Sequence, residues 1–456
     1  MATDKSAAPG FVAAFSQSSV GDTTPNVLGA WCDDSSGQMC TLEKSTCSGT
    51  SEACHGRGPE FQKLDLGVSS CYEIGRRVFA AAKSLYDTFD TVATPVQDPS
   101  VKAYHTFNDM SYFKFTLPNG TTVQTCPAAL GYSFAAGTSD GPGAFDFTQS
   151  DNNTNAQNPV WVIVSSVIKA PSAEQVACQS PKPVLLDVGE LSVPYAWSPN
   201  IVDVQSLRVG QFIMIISPSE ATTMSGRRWK SAVAAAATNA SLTTTTPKVV
   251  LGGPANTYAH YLTTQEEYGI QRYEGASTLY GENELDAYIY LSTSNLQYLA
   301  ATSTTQPLVG PLPPDNRANS LDLIAGVVYD NPPFFKSFGD VLSQPSESYS
   351  IGAVVNASFV GANPRNNLRL EGTFSVVEML QNGNWTQVRD DSDWFLEYTW
   401  YRDDSLLGSS HVVISWETES YALPGIYRIR YYGDSKAPVT GTITAFEGVS
   451  GNFTLA

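Results

Sequence analysis

The chain has 456 residues, enough for two or three domains with ample cores, and 42% of them are hydrophobic, an ordinary share for a globular protein. Its formal net charge of −18 excludes the clustered basic residues that nucleic acid or an anionic membrane surface would require. No apolar run approaches membrane-spanning length, the stretch FIMII at 212–216 being far too short.

Residues 1–56 are irregular and rich in Gly, Ser and Asp, and they hold Cys32, Cys40, Cys47 and Cys54. With Cys71, Cys126 and Cys178 the count is seven, all before residue 180. So little apolar material favours disulfides as the source of order. A zinc knuckle is the poorer alternative, since no close Cys-x-x-Cys pair is present. Six Asn-x-Ser/Thr sequons, at Asn119, Asn152, Asn239, Asn356, Asn384 and Asn452, fit the same secretory reading. The opening MATDKSAAPGFVAAF, however, lacks the basic segment and long apolar core of a signal peptide.

Residues 59–91 predict a helix with Val78, Phe79, Ala82, Leu85 and Phe89 on one apolar face. A strand pair is expected over 111–124 around Pro118-Asn119-Gly120, and further strands at 160–168 and 183–189. Residues 202–216 read as a hairpin broken near Gly210. An Ala-rich helix around Met224–Ala237 and a buried-type strand at 248–256 follow. Thr264 and Glu267 have the spacing of a capping box, which starts a second helix, and a third is expected over 282–301. Strands alternating with helices imply a mixed α/β domain over 1–302. Proline concentrates at 303–335, a domain junction. After it, short alternating strands with no helical pattern predict an immunoglobulin-like β-sandwich over 336–456.

The densest chemistry lies in NTYAHYLTTQEEYGIQRYEGASTLYG, residues 256–281, which carries five tyrosines, His260 and three glutamates. Tyr261 lies in the loop before the capping box, and Tyr273 is expected further along the same helix. Each phenol is equally well read as a core tyrosine with a satisfied hydroxyl. His260, alone beside two tyrosines, fits a structural role better than a ligand's. Glu220 stands between a strand end and a helix start, where a carboxylate can face a crevice or simply favour the helix dipole. The Gly-Asp-Thr-Thr-Pro-Asn run at 21–26 forces a tight turn that can hold out a hydroxyl. Asp391 and Asp393 suit a hard cation or a solvated loop.

Several segments resemble the neutral ceramidases, zinc-dependent amidases that cleave ceramide: GFVAAFSQSSVGDTTPNVLGAWC, ALGYSFAAGTSDGPG, TTMSGRR, the tyrosine-rich run and GIYRIRYYGDSK. The likeness runs from about Phe11 to the end. The family's zinc is held by two histidines, a glutamate and a tyrosine, and the resemblance puts Glu220 and Tyr261 in the last two roles. It makes Tyr273 the donor that steadies the oxyanion, and puts Thr24 where the family has its catalytic serine. Threonine keeps the hydroxyl but adds a methyl that restricts its rotamer, and the resemblance leaves two attackers open, Thr24 or a zinc-bound water. The resemblance further implies disulfides Cys32–Cys47, Cys40–Cys54 and Cys126–Cys178, with Cys71 free, and a secondary Ca2+ or Mg2+ site at Asp391 and Asp393.

The family's zinc histidines precede the Gly-Asp-Thr-Thr-Pro-Asn segment, where this chain has none; its four are His55, His105, His260 and His411. The expectation is therefore a C-terminal portion of such an enzyme, its α/β catalytic domain N-terminally truncated. The implied activity is hydrolysis of ceramide and related N-acylsphingosines to sphingosine and fatty acid, dependent on Zn2+, in a secreted protein that meets lipid surfaces peripherally and binds no nucleic acid. The alternative is a catalytically incomplete fragment serving as a secreted lipid-surface or partner-binding module.

Overall fold

The structure, a computed structural model, describes residues 13–63, 65–138, 141–143, 147–149, 169–319 and 326–456. The expected strand at 160–168 lies outside them. Near the amino end, β1 (Ala30–Cys32) pairs antiparallel with β2 (Cys54–Gly56), and disulfides Cys32–Cys47 and Cys40–Cys54 cross-link the loop between them. Cys126–Cys178 forms the third bridge and Cys71 is free, the pattern the resemblance implied.

The helix expected over 59–91 begins later. A 3-10 turn at Phe61–Lys63 precedes α1 (Val68–Asp87), and a last turn spans Phe89–Val92. Its periodicity is as expected but its burial is not. Val78, Phe79, Leu85 and Phe89 are 52–66% exposed, and α1 has no buried residue.

The first unit of the chain, Phe15–Ser320, is built on a four-stranded sheet. Its strand β3 (Val101–Asp109) escaped the sequence reading, because only Tyr104 and Thr106 are buried in an otherwise polar stretch. Next come β4 (Lys114–Thr116) and β5 (Thr122–Gln124), the expected pair, with Gly120 supplying φ 88° in the turn. The strand expected near 183–189 is Val184–Leu186. Then β6 (Ile201–Val209) and β7 (Phe212–Ile216) form the expected hairpin, turning at Gly210 with φ 58°. After β8 (Glu220–Ala221), α2 (Thr223–Asn239) carries the chain to β9 (Lys248–Gly252), parallel to β7. The sheet order is β9-β7-β6-β3.

The free edge of β3 is covered. The Phe107 amide donates to the Val309 carbonyl at 2.7 Å, and the Thr106 hydroxyl to the Leu308 carbonyl at 2.7 Å. The start of the proline-rich stretch thus lies along the sheet. The short strand β10 (Tyr261–Leu262) is followed by α3 (Gln265–Ile270), which opens on the full capping box of Thr264 and Glu267. This helix does not run on to Tyr273 as expected. Gln271 takes φ 60° and ends it, and Tyr273 opens a separate helix, α4 (Tyr273–Ser277). The last helix is α5 (Glu284–Ser294).

Val202, Val204, Ile213 and Ile215 of the hairpin bury against Trp229 and Val233 of α2 and Leu285, Tyr288 and Leu291 of α5. Trp229 stacks on Tyr288 at 5.2 Å and donates to the Ser292 hydroxyl at 2.9 Å, so even the indole N–H inside this core is satisfied.

The second unit contains Leu321–Ala456. Its strands are β11 (Val341–Ser343), β12 (Ser348–Tyr349), β13 (Val354–Gly361), β14 (Ser375–Gln381), β15 (Asn384–Asp390), β16 (Leu396–Asp404), β17 (Ser409–Glu417), β18 (Gly425–Lys436), β19 (Ile443–Val449) and β20 (Phe453–Leu455). They form one sheet in the order β11-β13-β17-β16 and another in the order β12-β20-β18-β14-β15, with β19 also on β18. Phe359, Val412 and Trp416 of the first sheet share a core with Val377, Ile429 and Tyr431 of the second, the alternating inward pattern of a two-layer β unit.

Candidate active site

Glu220 lies on a strand of only two residues, and that strand holds the site together. β8 pairs in parallel with β10, with Glu220 opposite Tyr261 and Ala221 opposite Leu262. On its other side the Gly21 amide donates to the Ala221 carbonyl at 2.9 Å. A Cβ on residue 21 would stand 2.5 Å from the Glu220 carbonyl oxygen, so the close approach requires glycine there. Asp22 adds two bonds, its Oδ1 accepting from the Thr223 amide at 2.7 Å and the Thr223 hydroxyl at 2.8 Å. The turn that bears Thr24 is thereby fastened to the strand that bears Glu220. Thr24 itself is exposed, and its Oγ1 accepts from the Asn26 amide at 3.1 Å.

The helix starts are tied together as well. Glu267 Oε2 accepts from the Thr264 amide at 2.8 Å, which completes the capping box, and from the hydroxyl of Thr222, the N-cap of α2, also at 2.8 Å. One carboxylate thus joins two helix N-termini, where negative charge is favoured.

Three phenols surround Glu220. Tyr258, for which the sequence suggested no role of its own, donates to Glu220 Oε1 at 2.5 Å. Tyr261 lies opposite Glu220 in the strand pair, and its ring meets that of Tyr273 edge-on at 5.1 Å. Phe134 stacks on Tyr273 at 5.8 Å, and the Tyr273 amide donates to the Gln149 side chain at 3.1 Å, which fixes the start of α4. Burial, with the Glu220 carboxylate beside it, pushes the Tyr258 phenol well above the usual tyrosine range. Burial, with Tyr273 and Glu220 alongside, does the same to Tyr261. Both therefore remain protonated donors near neutral pH.

His260 takes φ 54°, its Nδ1 lies 3.2 Å from the Ser277 hydroxyl, and its ring packs on Phe134 and Tyr258. Burial and the nearby Lys182 hold its imidazole below the ordinary range. Beneath the site, Lys182 is almost fully buried and donates to the carbonyls of Ala129 and Thr278, and Thr278 bridges to Tyr261.

Glu220 and Tyr261 are thus adjacent donors, a carboxylate and a phenol. Among the described residues, the single group of three His, Cys, Asp or Glu donors close enough to share an ion is Cys32, Cys40 and Cys47, whose sulfurs are taken up in disulfides. A tetrahedral zinc centre takes about four ligands, so these side chains supply part of one and do not close it. Asp391 and Asp393 lie in the second unit. Asp391 accepts from the Thr373 hydroxyl and the Phe374 amide, each at 2.7 Å, and Asp393 from the Asp390 amide at 3.0 Å, so Asp391 ties this loop to the residues before β14 and Asp393 serves the turn after β15.

The chain matches the family models for the N-terminal part of neutral/alkaline non-lysosomal ceramidase over residues 1–290 and for the C-terminal part over residues 292–455. The first match starts at residue 1 and lends no support to the expected loss of an upstream catalytic half. A neutral ceramidase of Oryza sativa subsp. japonica is 43% identical over 98% of this chain and 56% of its own length. Neutral ceramidase 2 of Arabidopsis thaliana is 42% identical over 97% of this chain and 58% of its own. The chain therefore spans less than two thirds of these relatives. Among solved structures, a ceramidase complexed with C2 matches with a TM-score of 0.67 and 34% identity over 85% of this chain and 58% of its own. The neutral ceramidase of Pseudomonas aeruginosa matches with 0.65 and 33%, covering 85% of this chain and 57% of its own.

Proposed function

The chain belongs to the neutral/alkaline non-lysosomal ceramidase family, and from that premise we propose that it is an amidohydrolase acting on ceramide and related N-acylsphingosines. The amide C–N bond is cleaved, the acyl carbon takes up the oxygen of water, and sphingosine and a fatty acid leave. The single observation that carries this reading is the attachment of the Thr24 turn to β8, opposite Tyr261 and within one cluster with Tyr258 and Tyr273.

In the proposal, the Thr24 hydroxyl attacks the amide carbonyl and its proton passes to the departing amine as the C–N bond breaks; water then cleaves the Thr24 ester, releasing the fatty acid and restoring the hydroxyl. Tyr273 donates to the oxyanion as it forms, where a fixed neutral donor in a half-buried site is worth most. Tyr258 and Tyr261 hold the Glu220 carboxylate in place. Zinc, when bound at Glu220 and Tyr261, would supply polarisation of the carbonyl. Calcium or magnesium at Asp391 and Asp393 would have to compete with the hydrogen bonds those carboxylates accept from Thr373, Phe374 and Asp390. The catalytic domain is assigned to 1–302, the proline-rich junction to 303–335 and an immunoglobulin-like sandwich to 336–456. Three disulfides support a secreted or extracellular protein, and peripheral contact with lipid follows from the substrate.

The donor set, which falls short of a closed metal site, favours one second reading: a chain that carries the fold without turnover. Incubating the 456-residue protein with ceramide while measuring bound zinc separates the two. Release of sphingosine and fatty acid in equal amounts supports the enzyme, and stoichiometric zinc without any release would sink it.

A further inference from the structure

Asp22 lies two residues before Thr24, and its contacts are all directed at another part of the chain. Its Oδ1 accepts from both the amide and the hydroxyl of Thr223, at 2.7 and 2.8 Å. Thr223 is the first residue of α2, so its amide is one of the donors that a helix leaves without an intrahelical partner. A carboxylate there is favoured by the helix dipole as well. The neighbouring Gly21 amide donates to Ala221, immediately before the N-cap Thr222. Two successive residues of the turn thus grip two points on the junction of β8 and α2. The opposite side of that junction carries β10 and Tyr261.

We propose that Asp22 is a positioning residue of the active site, clamping the start of α2 so that the Thr24 hydroxyl keeps a fixed place relative to Glu220 and Tyr261. The inference rests on the reading of Thr24 as the catalytic hydroxyl. Asp22 touches neither substrate nor reacting atoms; it acts by holding the turn. Without it, the turn keeps the Gly21 bond to β8 but loses both bonds to the start of α2.

The test compares the full chain with Asp22→Ala and Asp22→Asn, by hydrogen–deuterium exchange over residues 20–24 and by ceramide hydrolysis. Asparagine keeps an acceptor oxygen for Thr223 and alanine keeps none. Asp22→Ala should speed exchange in this segment by roughly tenfold, the sign of a local opening. It should lower kcat by roughly 10- to 100-fold with KM little changed, because a small misplacement of the attacking group costs rate more than binding. Asp22→Asn should stay near the parent protein in both measurements. Unchanged exchange in Asp22→Ala would overturn the clamp, and faster exchange with unaltered kcat would overturn the positioning role. Thr24→Ala decides the underlying reading separately, since it abolishes turnover without loosening the Asp22 bonds. Should the parent chain not hydrolyse ceramide, that reading fails by itself and the exchange measurement alone decides the clamp.

Discussion

Glu220 and Tyr261 stand opposite each other in a parallel pair of two-residue strands, and the phenol of Tyr258 closes on the same carboxylate at 2.5 Å. A carboxylate between protonated phenols is held in one orientation without an opposing charge.

Tyr258→Phe keeps the ring that packs on His260 but removes the donor to Glu220. Losing such an outer partner of a ligand typically costs roughly 10- to 100-fold, so kcat/KM for ceramide should fall by about tenfold or more. Steady-state hydrolysis checks this, and full retained activity would take Tyr258 out of the site. If the proposed zinc site exists, Glu220→Gln removes the charge of one of its ligands, and zinc content measured after dialysis should drop.

Thr24→Ala should abolish ceramide hydrolysis, whereas Thr24→Ser should retain it, because serine keeps the hydroxyl and sheds only the methyl. Turnover by the alanine variant near the parent rate would mean that water attacks without Thr24.

Glu284 is fully buried. Its Oε2 accepts from the Tyr280 amide at 2.7 Å, while Oε1 has no partner among the described residues. Burial raises its pKa to about 8, so the folded protein keeps a proton that the unfolded chain releases from its ordinary 4.5 upward. The stability this lends is complete below about pH 4.5 and is lost as pH rises through 8. Glu284→Gln mimics the protonated form. Its melting temperature should match the parent at about pH 4 and exceed it at about pH 8.5, by roughly 2–4 °C for each kcal/mol of relieved burial cost. Equal melting curves at both pH values would contradict this.

Cys126 and Cys178 close a loop with a sequence separation of 52. Replacing both with alanine should cost about 2–4 kcal/mol, readable as a lower denaturation midpoint.

The elements legible from sequence were those set by local chemistry. The hairpin turned where Gly210 allowed it, and the capping box formed because Thr264 and Glu267 satisfy each other's neighbours. Read from the residues alone, Glu220 and Tyr261 were separate candidates and only the family resemblance joined them, since their adjacency depends on the register of two dipeptide strands. The break before Tyr273 was hidden because Gln271 adopts a left-handed conformation with no glycine to announce it. The apolar stripe of α1 gave its helical period correctly and its burial wrongly, for a period says which residues share a face and nothing of what covers that face.

The proline-rich run does more than connect. By accepting from the Phe107 amide and the Thr106 hydroxyl along β3, it covers part of a sheet edge that would otherwise be open to a strand from another molecule. Cleavage near Gln306 would free that edge, so a protease acting on the linker would leave a protein prone to aggregate even with its site intact.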